Sequence, residues 1–590
     1  MKIEFGTTRS LLAAAVAVAL TSACGGDKVS FTSTGTNPGP GPGPGPTVPP
    51  AQPTIPDDAQ ATRFLAQASF GATASEIAQL KSVGLENWVD QQFRMDRGQT
   101  GTHLAYVRTQ IPLPVPQGTQ VTIDPLYHSF WRQAMLGNDQ LRQRVAFALS
   151  QILVISAADA ALGQSPHTIA SYLDVLADSA FGNYRDILQT VSTHPAMGQY
   201  LTALGNRGDA GRTPDENYAR EVMQLFSIGL FELNLDGTLK MVNGAPVETY
   251  DMDDIRNLAR VFTGWSWGNE GTADPSNGRF MGNPADPMRR IIPMQFYQQY
   301  HSPDAKVFLS ANIPAGTSGQ VALRTALDTL FNHPNTAPFV SRQLIQRLVA
   351  SNPSPQYIQR VATAFTAGRY TTTNGFYSVG GGTRGDLRAT VAAVLLDPEA
   401  RDAANLASND WGKLREPVLR LATAMRSFEA GSQSGNFRIG NIDNSLFQTP
   451  MRAPSVFNYF RPGYVPPNTT AATKNLVAPE FQIAHEVSVA NWSNTMQNWI
   501  ANGFGSTAAG QTGPDIRISA TTARGLAADP ARLVDHVNLM LTYNTMTTAT
   551  RDTIRTAVGT IPMTATNAAA NRVNLALYLT MMSPEFLVQK

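Results

Sequence analysis

Cysteine is almost missing from this sequence: among 590 residues there is one, Cys24. An internal disulfide is therefore excluded, and stability must come from a buried core. Charge is sparse too, at 15% Asp, Glu, Lys and Arg with a formal net charge of +1. No basic tract marks a nucleic-acid face, and no acidic tail is present. No internal run is long and apolar enough to cross a membrane. Strand-type alternation is weak everywhere, and no repeat of fixed period stands out. Standard catalytic signatures are also missing: there is no His-Glu-x-x-His, no paired Cys-x-x-Cys and no Walker-type loop.

What is present begins with an export signal. Lys2 and Arg9 supply the charged region, and residues 11–20 are an unbroken run of Leu, Ala and Val. This reads as a secretory signal, too short to span a membrane. Thr21-Ser22-Ala23-Cys24 resembles the lipobox of bacterial lipoproteins, in which the cysteine is lipidated and becomes the mature N-terminus. Gly25 follows and Asp is absent there, which by the same resemblance implies the outer membrane. Ordinary signal cleavage would instead leave Cys24 as a free thiol. From Pro38 to Pro46 the chain alternates between Pro and Gly, and Pro49, Pro50, Pro53 and Pro56 extend the stretch. Such a composition makes a spacer without a core. The expected organisation is a signal peptide at 1–23, a lipidated cysteine and tether at 24–57, and one large domain at 58–590.

That domain is expected to be mostly α, multi-helical, with long loops. Helical periodicity predicts helices over 59–69, 73–81, 85–93, 125–136, 139–156, 171–178, 184–193 and 195–204. Further helices are predicted at 251–263, 321–332, 334–349, 355–367, 384–396, 415–428, 481–501, 530–541, 550–558 and 568–582. A small hairpin is expected around 235–247.

One stretch, 214–229, carries an unusual pattern. Pro214 suits a first turn and Gly229 a stop, so the segment reads as one helix. Asn217, Arg220, Glu221 and Gln224 fall on one narrow stripe, and most other positions are apolar. Such a stripe faces either a cleft or an internally satisfied structural network. The eight histidines are scattered, so any site must be assembled in space. His194 and His301 flank this helix in loops with polar neighbours. With Glu216, Glu221, Asn217 and Arg220 they are the candidate catalytic residues, either glutamate completing an acid–base set with the histidines. His194, His301 and Glu221 are the candidate metal ligands, with Asp254 and Arg256 as outer partners. Asp254 also fits a simple cap. The chain names no cofactor.

Two motifs mimic known chemistry. Gly264-Trp265-Ser266-Trp267-Gly268 matches a nucleophile elbow, but a helix precedes it and a Gly- and Asn-rich loop follows, so a tight turn is expected. Gly380 to Gly385 runs into a helix and reads as a flexible turn plus cap.

The ordered short motifs carry a resemblance. They are Arg63-Phe64-Leu65 with Ser69-Phe70-Gly71-Ala72-Thr73, Glu216-Asn217-Tyr218-Ala219-Arg220-Glu221, and Leu258-Ala259-Arg260-Val261-Phe262-Thr263-Gly264-Trp265. His333-Pro334-Asn335 leads to Arg342-Gln343-Leu344-Ile345. Arg384-Gly385-Asp386-Leu387, Lys413-Leu414-Arg415-Glu416-Pro417, the run Ser455 to Tyr464, and Ser583-Pro584-Glu585-Phe586 complete the set. Together they resemble the bacterial family called domain of unknown function 1800. The resemblance implies a helical, often exported protein with no assigned reaction. It also implies an exported partner from the family called domain of unknown function 1501. Two readings follow: a tethered scaffold or binding module acting with a partner protein, or an envelope hydrolase using carboxylate and histidine groups. The lack of a catalytic motif favours the first.

Overall fold

The computed structural model describes residues 51–209, 211–268, 280 and 287–590. The expected signal segment, Cys24 and most of the expected tether lie outside the described residues. Among the described residues there are 25 α-helices, and the strands form only six separate two-stranded antiparallel sheets. The fold is mostly α, as the periodicity predicts.

Local chemistry sets many helix starts. Asp57 accepts from the Gln60 N–H while Gln60 accepts from the Asp57 N–H, a reciprocal cap that opens Asp58–Ala68. Thr73 with Glu76 and Asp251 with Asp254 do the same for Ala74–Val83 and Met252–Val261. Pro195, Pro355, Pro417 and Pro530 stand in first turns, where a missing N–H breaks no helical bond. The apolar faces meet in one core, in which Trp88, Trp131, Tyr127, Tyr172, Tyr184 and Tyr357 are fully buried. Several of these tyrosines bond their hydroxyls internally: Tyr184 donates to the Phe226 carbonyl and Tyr172 to the Leu153 carbonyl, both at 2.7 Å. The last strand, Val588–Gln589, pairs with Lys413–Leu414, and Arg63 Nε donates to the Lys590 carbonyl at 3.1 Å. The expected hairpin is present as Met241–Val242 against Ala245–Pro246. It turns on Asn243 and Gly244, both at positive φ, which Asn-Gly accommodates readily.

Several boundaries differ from the sequence pattern for identifiable reasons. The segment 214–229 is helical only over Asn217–Gln224. The Ser227 hydroxyl takes the Val222 carbonyl, and the Ile228 and Gly229 N–H groups both return to Met223 O at 2.9 Å. Gly229 has φ +72°, and a Cβ there would lie 2.8 Å from the Phe339 ring. The helix expected over 481–501 begins at Glu486, because Pro479–Ile483 turns separately and carries Glu480 into the core. The one expected over 139–156 ends at Ser150, and the one over 195–204 ends at Tyr200. A helix at His103–Gln110, capped by Thr102, has too little amphipathic pattern to read from the sequence.

The tether also ends earlier than its composition suggests. Thr54 donates through its N–H and its hydroxyl to the buried Glu86 carboxylate, at 2.8 and 2.7 Å. Leu85 N–H donates to Thr54 O at 3.0 Å, and Asn374 Nδ2 to Gln52 O at 3.2 Å. The compact unit therefore runs from Ala51 to Lys590.

Candidate functional site

The polar stripe divides once it is folded. Asn217 is exposed. Glu216 and Arg220, both half-buried, pair at 3.4 Å, and Arg256 Nε lies 4.0 Å from the same carboxylate. Exposed pairs of this kind contribute at most about 1 kcal/mol. Glu221 is buried, and its Oε2 has no hydrogen-bond partner. Burial raises its pKa, and Arg220 draws it back only in part.

This has a consequence for pH. A carboxyl with a raised folded pKa holds its proton more tightly when folded. The stability it lends is full below its unfolded pKa, about 4.3, and is lost as pH rises through the folded value. Glu221→Gln removes that loss. The variant is expected to melt above the parent at about pH 8, with the gap closing toward about pH 4. Melting curves across this range check it, and a parent that is the more stable partner at the upper end contradicts the account.

His194 and His301 do not join Glu221. His194 Nδ1 accepts the Ala196 N–H at 3.1 Å and so caps Pro195–Tyr200. Its Nε2 lies 3.3 Å from the Ser171 hydroxyl, and its ring meets Tyr172 edge-on. Burial alone lowers its pKa to about 3. His301 is held through Nδ1 by the Thr263 carbonyl at 2.9 Å, and burial lowers its pKa to about 4. Neither imidazole feels the Glu221 charge, and Glu221 feels neither of them. Among the described residues no three His, Cys, Asp or Glu side chains are placed to hold a metal ion. The expected metal set of His194, His301 and Glu221 is thus not assembled. Each histidine meets a local structural need first.

The other candidates resolve as structure. Asp254 completes its cap and accepts the Leu309 N–H at 2.7 Å. Ser266 is fully buried and donates to the Phe280 carbonyl. At Gly380 to Gly385, Asp386 accepts from the N–H groups of Gly381, Arg388 and Ala389. Those amides are therefore not open to an anion.

The stripe's last member leads elsewhere. Gln224 lines a cavity of about 310 Å³ between the end of its own helix, the helix Thr336–Leu348 and the loop around Phe457. Leu225, Leu230, Phe231, Leu239, Phe339 and Val456 give it apolar walls. Arg342, Arg347 and Arg461 line it too, and no carboxylate does. Arg342 has no hydrogen-bond or ion-pair partner among the described residues; burial lowers its pKa with no charged group opposing. Arg461 lies over the Phe457 ring at 4.8 Å. Buried polar atoms around this cavity lack partners as well: Gln343 Nε2, Arg347 Nε, Gln346 Oε1 and Gln151 Oε1.

Beneath this cavity lies a buried ionic cluster. Arg144, Arg347, Lys413, Arg415 and Arg420 are buried with Glu416 and Glu480, five cations against two carboxylates. Lys413 Nζ sits 3.0 Å from Glu480 and 3.6 Å from Glu416. Gln151 and Gln448 both donate to Glu416 Oε2. Burial lowers the pKa of Arg144 to about 10 and of Arg420 to about 9, against the pull of Glu416. Arg347 and Gln151 belong to both cluster and cavity, so the excess positive charge underlies the pocket.

Sequence reasoning missed Arg342, Gln343, Gln346 and Arg347 as site residues. The available signal was the helix Thr336–Leu348 itself, with two arginines and no acid beside them.

A multi-helical domain with a cationic, carboxylate-free cavity is the class defined by this fold and site. The chain belongs to the family described as Protein of unknown function (DUF1800), whose model matches residues 63–588. No match is found among curated proteins or among solved structures.

Proposed function

We propose that this protein is an exported, lipid-anchored component of the cell envelope, held at the outer membrane, whose helical domain is a binding module for a partner protein. The observation that carries the binding role is the cavity around Arg342, cationic, apolar-walled and without a counter-charge of its own. A catalytic device would bring an acid and a base together, whereas His194 and His301 are each held by other groups and neither interacts with the Glu221 carboxyl. At the cavity, Leu230 and Leu239 are exposed at 48% and 45%, apolar surface of the kind that partners cover. The family resemblance makes an exported protein of the domain of unknown function 1501 family the first partner to test. Mixed with that protein from the same cell, the purified domain is expected to sediment as a complex, and Arg342→Glu to abolish it. Separate sedimentation of the unaltered pair refutes the pairing.

The anchor rests on the lone Cys24 after an apolar run and before a Gly/Pro spacer. Mass spectrometry of the mature protein is expected to find an N-terminus at Cys24 carrying acyl chains. An unmodified thiol, or a start elsewhere, removes the anchor from the proposal.

A further inference from the structure

The hairpin Met241–Val242 against Ala245–Pro246 is bare on both of its faces. Successive side chains of a strand point to opposite faces. Met241 is 53% exposed and Val242 60%, so the domain covers neither face. All six residues from Met241 to Pro246 are exposed, and a Cβ placed on Gly244 at the turn would meet nothing within 4 Å. No charged residue stands between Lys240 and Glu248. The base of the hairpin is held firmly. Lys240 Nζ lies 3.0 Å from the Glu232 carboxylate, and its N–H donates to the Glu232 carbonyl at 2.8 Å. At about 3.3 Å per residue, the uncharged tip extends about 10 Å beyond Lys240.

These features distinguish between occupants. A partner protein laid against a sheet covers one face and leaves the other in water. The headgroup region of a bilayer surrounds whatever enters it and covers both faces. Apolar surface enters that region to a depth of about 5–10 Å, the length of this tip. The chain ahead of the domain supplies a second argument. Residues 25–50 join Cys24 to the compact unit that begins at Ala51. A Gly- and Pro-rich chain of that length spans about 30 Å on average and about 90 Å when fully extended. From this, resting on the lipid anchor proposed above, we infer that the hairpin tip enters the surface of the membrane to which Cys24 is attached. It is a second contact, and it fixes which side of the domain faces the bilayer. The flanking charges are Lys240, paired with Glu232, and the acidic Glu248, so the contact is apolar and does not require anionic lipid. Leu239 precedes the tip by two residues and lines the cavity, so insertion turns that wall toward the bilayer.

The test imposes the tether and reads the tip. The mature chain beginning at Cys24 is prepared without acyl groups. Its only cysteine is coupled to phosphatidylcholine vesicles through a trace of maleimide-bearing phosphatidylethanolamine. Hydrogen exchange of peptides covering 241–247 is followed by mass spectrometry, with and without vesicles. Exchange at the tip is expected to slow at least about tenfold on the vesicles, the factor for about 1.4 kcal/mol of protection. Met241→Asp combined with Val242→Asp is expected to abolish the slowing. Both side chains are exposed, so this variant is expected to melt with the parent. Unchanged exchange at the tip overturns the inference. So does equal slowing at the exposed Val487 and Val489, since the domain would then adsorb without a preferred side. Slowing that grows with protein concentration in the absence of vesicles assigns the hairpin to a second copy of the chain and also overturns it. Slowing that appears only when the exported partner is added does the same in favour of a protein contact. Because the coupling replaces acylation, the two readings fail separately. A protected tip with an unacylated Cys24 in the cell removes the natural anchor and leaves the insertion, whereas an acylated Cys24 with an unprotected tip does the reverse.

Discussion

Glu416→Gln is expected to be the most damaging single substitution in the domain, lowering unfolding free energy by about 3–5 kcal/mol. Glu416 is fully buried and stands among Lys413, Arg144, Arg347 and Arg420, with Gln151 and Gln448 donating to one of its oxygens. Five cations share two carboxylates, so removing one carboxylate leaves charges that have nowhere to turn. Gln preserves the shape, which isolates the charge. The asymmetry is the sharper part of the expectation. Arg144→Met is expected to cost no more than about 2 kcal/mol, although Arg144 is equally buried. Arg144 makes one hydrogen bond, to the Arg347 carbonyl at 2.7 Å, and its Nε and Nη1 are unpartnered. Its removal ends its burial cost and its repulsion with Arg347, and leaves Glu416 the other four cations of the cluster. Urea unfolding of both variants decides the matter: if Arg144→Met is the more destabilised, the cluster is not cation-rich in its effective electrostatics. An anion in the cavity above would offset part of the same imbalance, so ligand binding and cluster stability are expected to be linked.

The second large effect lies at the entry to the domain. A chain beginning at Asp57 is expected to be about 2–4 kcal/mol less stable than one beginning at Ala51. Only a few residues separate the two, and they look like spacer. Yet Glu86 is 2% exposed, and its two shortest hydrogen bonds come from Thr54. Without Thr54 the carboxylate keeps only a long contact from Asn374 Nδ2, at 3.4 Å. Gly84, at φ +85° with Pro53 against it, would also lose its cover. Thr54→Val in the longer chain keeps the backbone bonds and loses the hydroxyl, and should account for about 1–2 kcal/mol of the difference. Thermal melts that superimpose for the two starting points would show that Glu86 finds water as a full replacement.

How far the sequence could be read is clearest from particular elements. The helices at Pro355–Ala367 and Ala568–Met582 match their periodic patterns at both ends. The cap at Asp251 and Asp254 and a small hairpin within 235–247 were legible because each depends on neighbours within a few residues. The stripe on 214–229 was legible as a pattern, but its purpose was not. Burial orphaned Glu221, surface position left Asn217 exposed, and only Gln224 reached a cavity.

The sequence by itself determined the helical class, the likeness to the family and the single cysteine. Composition, periodicity and ordered short motifs are properties of contiguous chain, and they survive without a fold. Tertiary structure alone decided which polar groups meet. Gln151, Gln224, Arg342 and Arg461 come from four separate stretches, and Glu480 meets Lys413 across more than sixty residues of chain, carried there by the short turn Pro479–Ile483. A buried charge is defined by what surrounds it in space. That is why His194 and His301, inviting in sequence, became a cap and a loop anchor, while Arg342, ordinary in sequence, became a pocket cation with no ion-pair partner among the described residues.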